Sequence, residues 1–174
     1  LYRLVSGTES GSLESPGHDE RLLRASVDEA RHGLFHTLDL VHRALGLHGA
    51  VLLLLDATGT RLRIAEAVVA GDRLRPGPFA ARDGLLGAVA LRGQTVRLAR
   101  LRPDFRGLPH YEGPNPARAV LGLPMFEGAS LRGALIVDRA DDRPFDAREE
   151  ALLERALTQL RRVLDNERVF VQLE

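Results

Sequence analysis

Six consecutive apolar residues, Ala50 to Leu55, stop abruptly at Asp56 and constrain this chain more than any other feature. The run falls far short of the roughly 20 residues that a membrane-spanning helix needs, and it is the longest in the sequence. Val51 to Leu55 read instead as a strand buried on both faces, because apolar side chains at every position leave neither face for water. Asp56-Ala57-Thr58-Gly59-Thr60 is turn chemistry, and Arg61 to Val69 alternates before running apolar, so the strand continues as a hairpin. A second hairpin joins Arg118–Phe126 to Leu131–Arg139 around Glu127-Gly128-Ala129-Ser130.

Helical patterns flank these hairpins. Leu23, Val27, Ala30, Leu34, Leu38, Val41 and Leu45 recur at steps of three and four, which predicts one amphipathic helix over 18–45. Asp19 and Glu20 suit its positive N-terminal end, and Gly46 its stop. Near the other end, Phe145-Asp146 opens a long helix, with Asp146 as N-cap and Glu149 completing a capping box. Between the hairpins lie the Gly/Pro-rich stretch 71–78, a short helix from Leu85 to about Leu91 ended by Gly93, and a short strand Thr95–Leu98. Arg100 to Pro116 carries several prolines and glycines and reads as a long irregular loop, a kind that tends to be functional or mobile. Consecutive hairpins require an antiparallel sheet, so the pattern is a two-layer α+β domain with the terminal helices sharing one face.

Composition narrows the chemistry. With 174 residues, 44% of them hydrophobic, the chain can bury one proper core. Its formal net charge of zero gives no electrostatic reason to expect nucleic acid or an anionic membrane as partner. The absence of cysteine excludes disulfides, thiolate nucleophiles, cysteine-ligated zinc and thioether-linked chromophores, and fits a reducing cytoplasm. Residues 1–17 read as a linker or weakly ordered lead-in, 18–164 as the domain, and 165–174 as the start of a helix running on toward a further domain. Leu1 is not an initiator methionine and Glu174 falls inside a helical pattern, so a piece of a longer protein is expected.

Six stretches, in order, resemble the GAF family. They are Leu47–Asp56, Asp83-Gly84-Leu85-Leu86-Gly87-Ala88-Val89-Ala90, Gly93–Leu98 with Leu101–Phe105, Leu121-Gly122-Leu123-Pro124-Met125, Gly133–Asp138, and Pro144-Phe145-Asp146 to Leu153. The resemblance spans about Leu22 to Leu164. It implies an antiparallel sheet with the N- and C-terminal helices on one face and loops with a short helix on the other, a GAF/PAS-like fold. It also implies non-catalytic, cytosolic regulation of an attached output domain, such as a histidine kinase, a diguanylate cyclase or a transcriptional activator. The family's bilin photoreceptors and its methionine sulfoxide reductases work through cysteines, which this chain lacks. Its cyclic-nucleotide binders carry an N-K motif, and this sequence contains no lysine. No cofactor is implied, and any small-molecule ligand is left unnamed.

A ligand pocket in such a fold is expected under the 71–79 segment and the 100–116 loop. Phe79, Phe105, His110 and Tyr111 stand on those covers and Arg118 on the strand beneath, although the aromatics would serve equally as plugs onto the core. Arg92, Arg97, Arg100, Arg102 and Arg106 form a basic stretch suited to an anionic metabolite, or simply a solvated face. His32 and His36, spaced i and i+4, offer a metal pair with no third ligand forced into place, and His110 a conceivable haem ligand. No catalytic constellation follows from the spacing. Along the last helix Leu153, Leu157, Leu160, Leu164 and Val171 keep a near-heptad spacing beside a second stripe of Leu152, Ala156, Val163 and Phe170. The first stripe is assigned to a parallel homodimer, against the alternative of one wide buried face. Two rival readings stand beside the ligand-gated sensor: a ligand-free dimerisation module, and a GAF-like effector domain of an IclR-type transcription regulator.

Overall fold

The computed structural model describes residues 16–82 and 84–172. Of the lead-in expected over residues 1–17, residues 1–15 lie outside the described residues, as do Asp83 and the side chains of Phe170 and Val171. Helix α1 spans Pro16–Leu45, two residues longer at its start than the periodicity predicts, and a proline costs nothing in a first helical turn. It ends in a Schellman arrangement. Gly46, at φ 60°, donates to the Arg43 carbonyl, and Leu47 N–H reaches back to the His42 carbonyl at 2.9 Å.

The strands are β1 (Gly49–Leu55), β2 (Arg61–Val69), β3 (Phe79–Ala80), β4 (Val96–Leu98), β5 (Ala119–Glu127) and β6 (Ser130–Arg139). Helix α2 (Gly84–Ala90) sits between β3 and β4, and α3 (Ala147–Gln172) ends the fold. The six strands form one sheet in the order β3-β2-β1-β6-β5-β4, every pairing antiparallel. Both hairpins fall where the sequence puts them. β3 is additional, a two-residue edge strand on β2 too short to carry any alternation.

The consecutive leucines of β1 do serve both faces. Ala50 and Leu52 join the core under α1 and α3, while Val51 and Leu53 join a second core under α2 and the loops. The domain therefore has a cover on each side of the sheet, one more layer than the hairpin argument alone supplies. Gly122 admits the second cover, since a Cβ there would stand 2.7 Å from a Val89 methyl of α2. α1 and α3 pack against each other and run antiparallel: Gly33 faces Val163, and the earlier Val27 and Arg31 share a cleft with the later Leu164 and Glu167. The capping box forms as expected. Asp146 Oδ1 accepts from Glu149 N–H at 2.9 Å, and Glu149 Oε2 from Asp146 N–H at 3.0 Å.

The stripe assigned to a dimer needs correction. Leu153 and Leu160 are fully buried and Leu164 nearly so, packed with Leu34, Leu38 and Val41 of α1 and with the sheet of their own chain. Helix α3 needs that stripe to cover its own domain. Leu157 is half-buried and lines a surface groove beside Met125 and Phe126, while Leu152 and, on α1, Leu40 remain exposed. Leu160→Ala is therefore expected to cost about 2–5 kcal/mol in urea denaturation. Leu152→Ser should stay within about 0.5 kcal/mol of the parent.

Candidate functional site

At one end of the sheet, where β1 begins and β6 ends, polar groups enter the second core. His48 directly precedes β1, held by its N–H to the Asp138 carbonyl at 2.9 Å and by its own carbonyl to Ala70 N–H at 2.8 Å. Asp138 is the penultimate residue of β6, pairs with Gly49 of β1, and is completely buried. Its carboxylate accepts from the Tyr111 hydroxyl at 2.6 Å and stands 3.2 Å from His48 Nδ1. His48 Nδ1 also lies 3.3 Å from Tyr111 Oη. A buried carboxylate costs several kcal/mol unless such donors surround it, so the two side chains together hold it in place. Gly49 makes room for this contact, because a Cβ there would collide with the Tyr111 hydroxyl.

Tyr111 comes from the long loop, which is pinned rather than free. Arg75 N–H donates to the His110 carbonyl and Glu112 N–H to the Arg73 carbonyl, each at 2.8 Å, with a Leu74–Tyr111 bridge between them. Asn115 braces the other limb through its side chain to the Arg102 and Ala117 carbonyls. Burial, and then the Asp138 carboxylate, push the Tyr111 hydroxyl well above the usual tyrosine range, so it stays a donor.

His110 is fully buried and neither ring nitrogen has a hydrogen-bond partner. Its ring lies 4.4 Å from that of Tyr111 and edge-on to Phe79 at 6.5 Å. Desolvation lowers its pKa to about 4, with Asp138 pulling the other way and His48 adding to the depression. It is a neutral imidazole buried against aromatic rings.

One residue further along β6, the strand's alternation turns Arg139 to the opposite face. Arg139 is also completely buried. Its Nη2 donates to Glu149 Oε1 at 2.7 Å and its guanidinium lies 4.1 Å over the Phe145 ring, while Nε and Nη1 find no partner. Arg139 and the Asp146 backbone hold the Glu149 carboxyl below its usual pKa, against a desolvation that raises it. Glu149 thus serves the capping box and the buried arginine together. Two consecutive residues bind the loop cover on one face and the first turn of α3 on the other.

Phe79, His110 and Tyr111 meet as the sequence suggests, and half-buried Phe105 packs against the same core. Arg118 does not join them. It forms a surface fork with Asp142, both bonds at 3.0 Å, on the rim rather than beneath the cover. Sequence reasoning missed His48, Asp138 and Arg139 as a site. Their signal was a charged pair closing an otherwise apolar strand, and a histidine just before a glycine-led one. Of the basic stretch, Arg97 is taken by Glu150 on α3. The His32 and His36 rings lie 6.1 Å apart, and among the described residues no group of three or more potential metal ligands gathers.

The GAF domain family model matches residues 30–164. Among solved structures, the GAF domain of the Acinetobacter phosphoenolpyruvate-protein phosphotransferase is 20% identical with a TM-score of 0.65, covering 89% of this chain and 97% of that one. Free methionine-R-sulfoxide reductase from Neisseria meningitidis, in complex with its substrate, gives 19% and 0.63, over 94% and 95% of the two chains. The GAF domain of a two-component sensor histidine kinase from Bacillus halodurans gives 14% and 0.61, over 78% and 95%. At such identities these likenesses carry the fold alone. No curated protein matches the chain.

The depressed His110 pKa sets a pH dependence. The unfolded chain takes up a proton near pH 6.5 that the folded chain refuses until about 4. Its contribution is therefore intact above pH 6.5 and is lost as pH falls toward 4, a loss of order 3 kcal/mol. Urea midpoints measured across that window should fall more steeply for the parent than for His110→Leu.

Proposed function

The chain belongs to the GAF domain family, and from that premise we propose that it is a non-catalytic regulatory domain that senses a small molecule beneath its loop cover. It passes that event through α3 to an attached output domain. The Asp138–Arg139 pair carries this reading, because it links the loop cover to the N-terminal cap of α3 by adjacent residues of one strand. A ligand that draws on Tyr111 or satisfies His110 changes what Asp138 holds. A shift of β6 by a fraction of an ångström then changes how Arg139 meets Glu149, and with it the seat of the helix. Such a ligand moves the equilibrium only by its differential affinity for the two arrangements.

The cysteine-free composition and the absence of an exposed nucleophile in the polar cluster support a regulatory rather than catalytic role. The exposed Leu40 and Leu152, on two helices that pack together, suit a homodimer in which the outputs are paired. One observation favours the rival reading of a ligand-free dimerisation module. Leu101, Leu108, Tyr111 and Phe79 fill the space above the sheet with side chains.

Native mass spectrometry of the full-length protein from its source, compared under denaturing conditions, separates the two. The sensor reading expects a discrete extra mass that Asp138→Asn loses, together with faster amide exchange over residues 147–152 in that variant. An empty protein whose exchange there ignores Asp138→Asn would remove the sensor reading in favour of the module.

A further inference from the structure

Outside the buried cluster, the cover itself carries a cleft of about 340 Å³ between the 71–78 segment and the 100–116 loop. Pro103, Phe105, Leu108, Pro109 and Tyr111 are among its lining residues. Arg75 reaches it from the first cover and Arg106 from the second. Arg73 stands at the rim, its Nη1 within 3.9 Å of where a Gly113 side chain would begin. Arg97, Arg118 and Arg139 are each held by a carboxylate, whereas Arg73, Arg75 and Arg106 are paired with no carboxylate among the described residues. Asp104 is the single acid on the lining.

Arg75 and Arg106 reach one cleft from two segments, and the backbone bonds from Arg75 to His110 and from Glu112 to Arg73 tie those segments together. Like charges on one cleft repel. An oxyanion between them accepts from both forks and turns the repulsion into a bridge. The cleft lies at the small end of ligand-site volumes, matching a metabolite-sized acid rather than a polymer. We propose that Arg75 and Arg106 bind a small multivalent oxyanion, a phosphate monoester or dicarboxylate, in this cleft. Asp104 on the same rim receives a hydroxyl or ammonium where the ligand carries one.

The proposal rests on the regulatory reading above and gives its ligand a chemical class. Tyr111 connects the two, since it lines the cleft and its hydroxyl holds Asp138. An anion that ties the covers together fixes Tyr111 over the carboxylate. Its loss loosens the hold of Tyr111 on Asp138.

Isothermal titration with inorganic phosphate and with citrate, at low ionic strength, tests the site directly. Saturable binding is expected, weakened about tenfold or more by Arg75→Gln and by Arg106→Gln. Both side chains are exposed, so these variants keep the fold. Arg118→Gln, which removes a guanidinium already held by Asp142, should leave binding unchanged. No saturation, or an equal loss in Arg118→Gln, would overturn the anion site. A neutral molecule retained in native mass spectra without phosphate or citrate binding would overturn it too, while sparing the regulatory reading. Arginine-dependent binding that leaves amide exchange at 147–152 unaltered would keep the site and overturn the regulatory reading instead.

Discussion

Two buried charges of opposite sign sit on consecutive residues of β6, and the alternation of a β-strand sends them to opposite faces. Neither is tolerable alone. An isolated buried ion costs several kcal/mol, so each must be met by groups brought from elsewhere in the chain. Asp138 recruits Tyr111 from the long loop and His48 from the lead into β1. Arg139 recruits Glu149 and the Phe145 ring from the start of α3. The loop cover and the terminal helix are thereby registered to the same strand end. They make no direct demand on each other, yet both answer to one strand position.

The surrounding architecture keeps that point stiff. β6 is central, hydrogen-bonded to β1 on one side and β5 on the other, and the Asp138 carbonyl also receives the N–H of His48. The Schellman end of α1 delivers Leu47 into the helix-side core and His48 to the strand end. The loop is joined to its neighbours by backbone bonds to residues 73–75 and to Arg118, by Asn115, by the Tyr111 hydroxyl on Asp138, and by Leu101 and Leu108 buried in the core. Its sequestered group with the greatest unmet hydrogen-bonding capacity is His110.

Local pattern carried most of the fold. The apolar run of β1, the turn at 56–60 and the Asp146–Glu149 capping box each state their structure within a few residues, and each formed. β3 escaped because two residues hold no period. The polar cluster escaped for a different reason: His48 and Asp138 are separated by 90 residues and meet only because β1 and β6 pair. A single sequence does not encode that register locally. The leucine stripe of α3 was seen correctly but given to the wrong neighbour, since spacing reveals that a helix face is covered and not by what. Arg118 was expected beneath the cover, but a surface carboxylate 24 residues further on, Asp142, holds it at the rim.

A double-mutant cycle between Tyr111→Phe and Glu149→Gln, read by urea denaturation, tests the coupling across the sheet most directly. The two side chains share no partner and lie on opposite faces, so independent sites would add to within about 0.5 kcal/mol. Registration through Asp138 and Arg139 predicts an interaction energy clearly above that margin. Additive losses would contradict it and leave the loop cover and the helix cap as separate features of the fold.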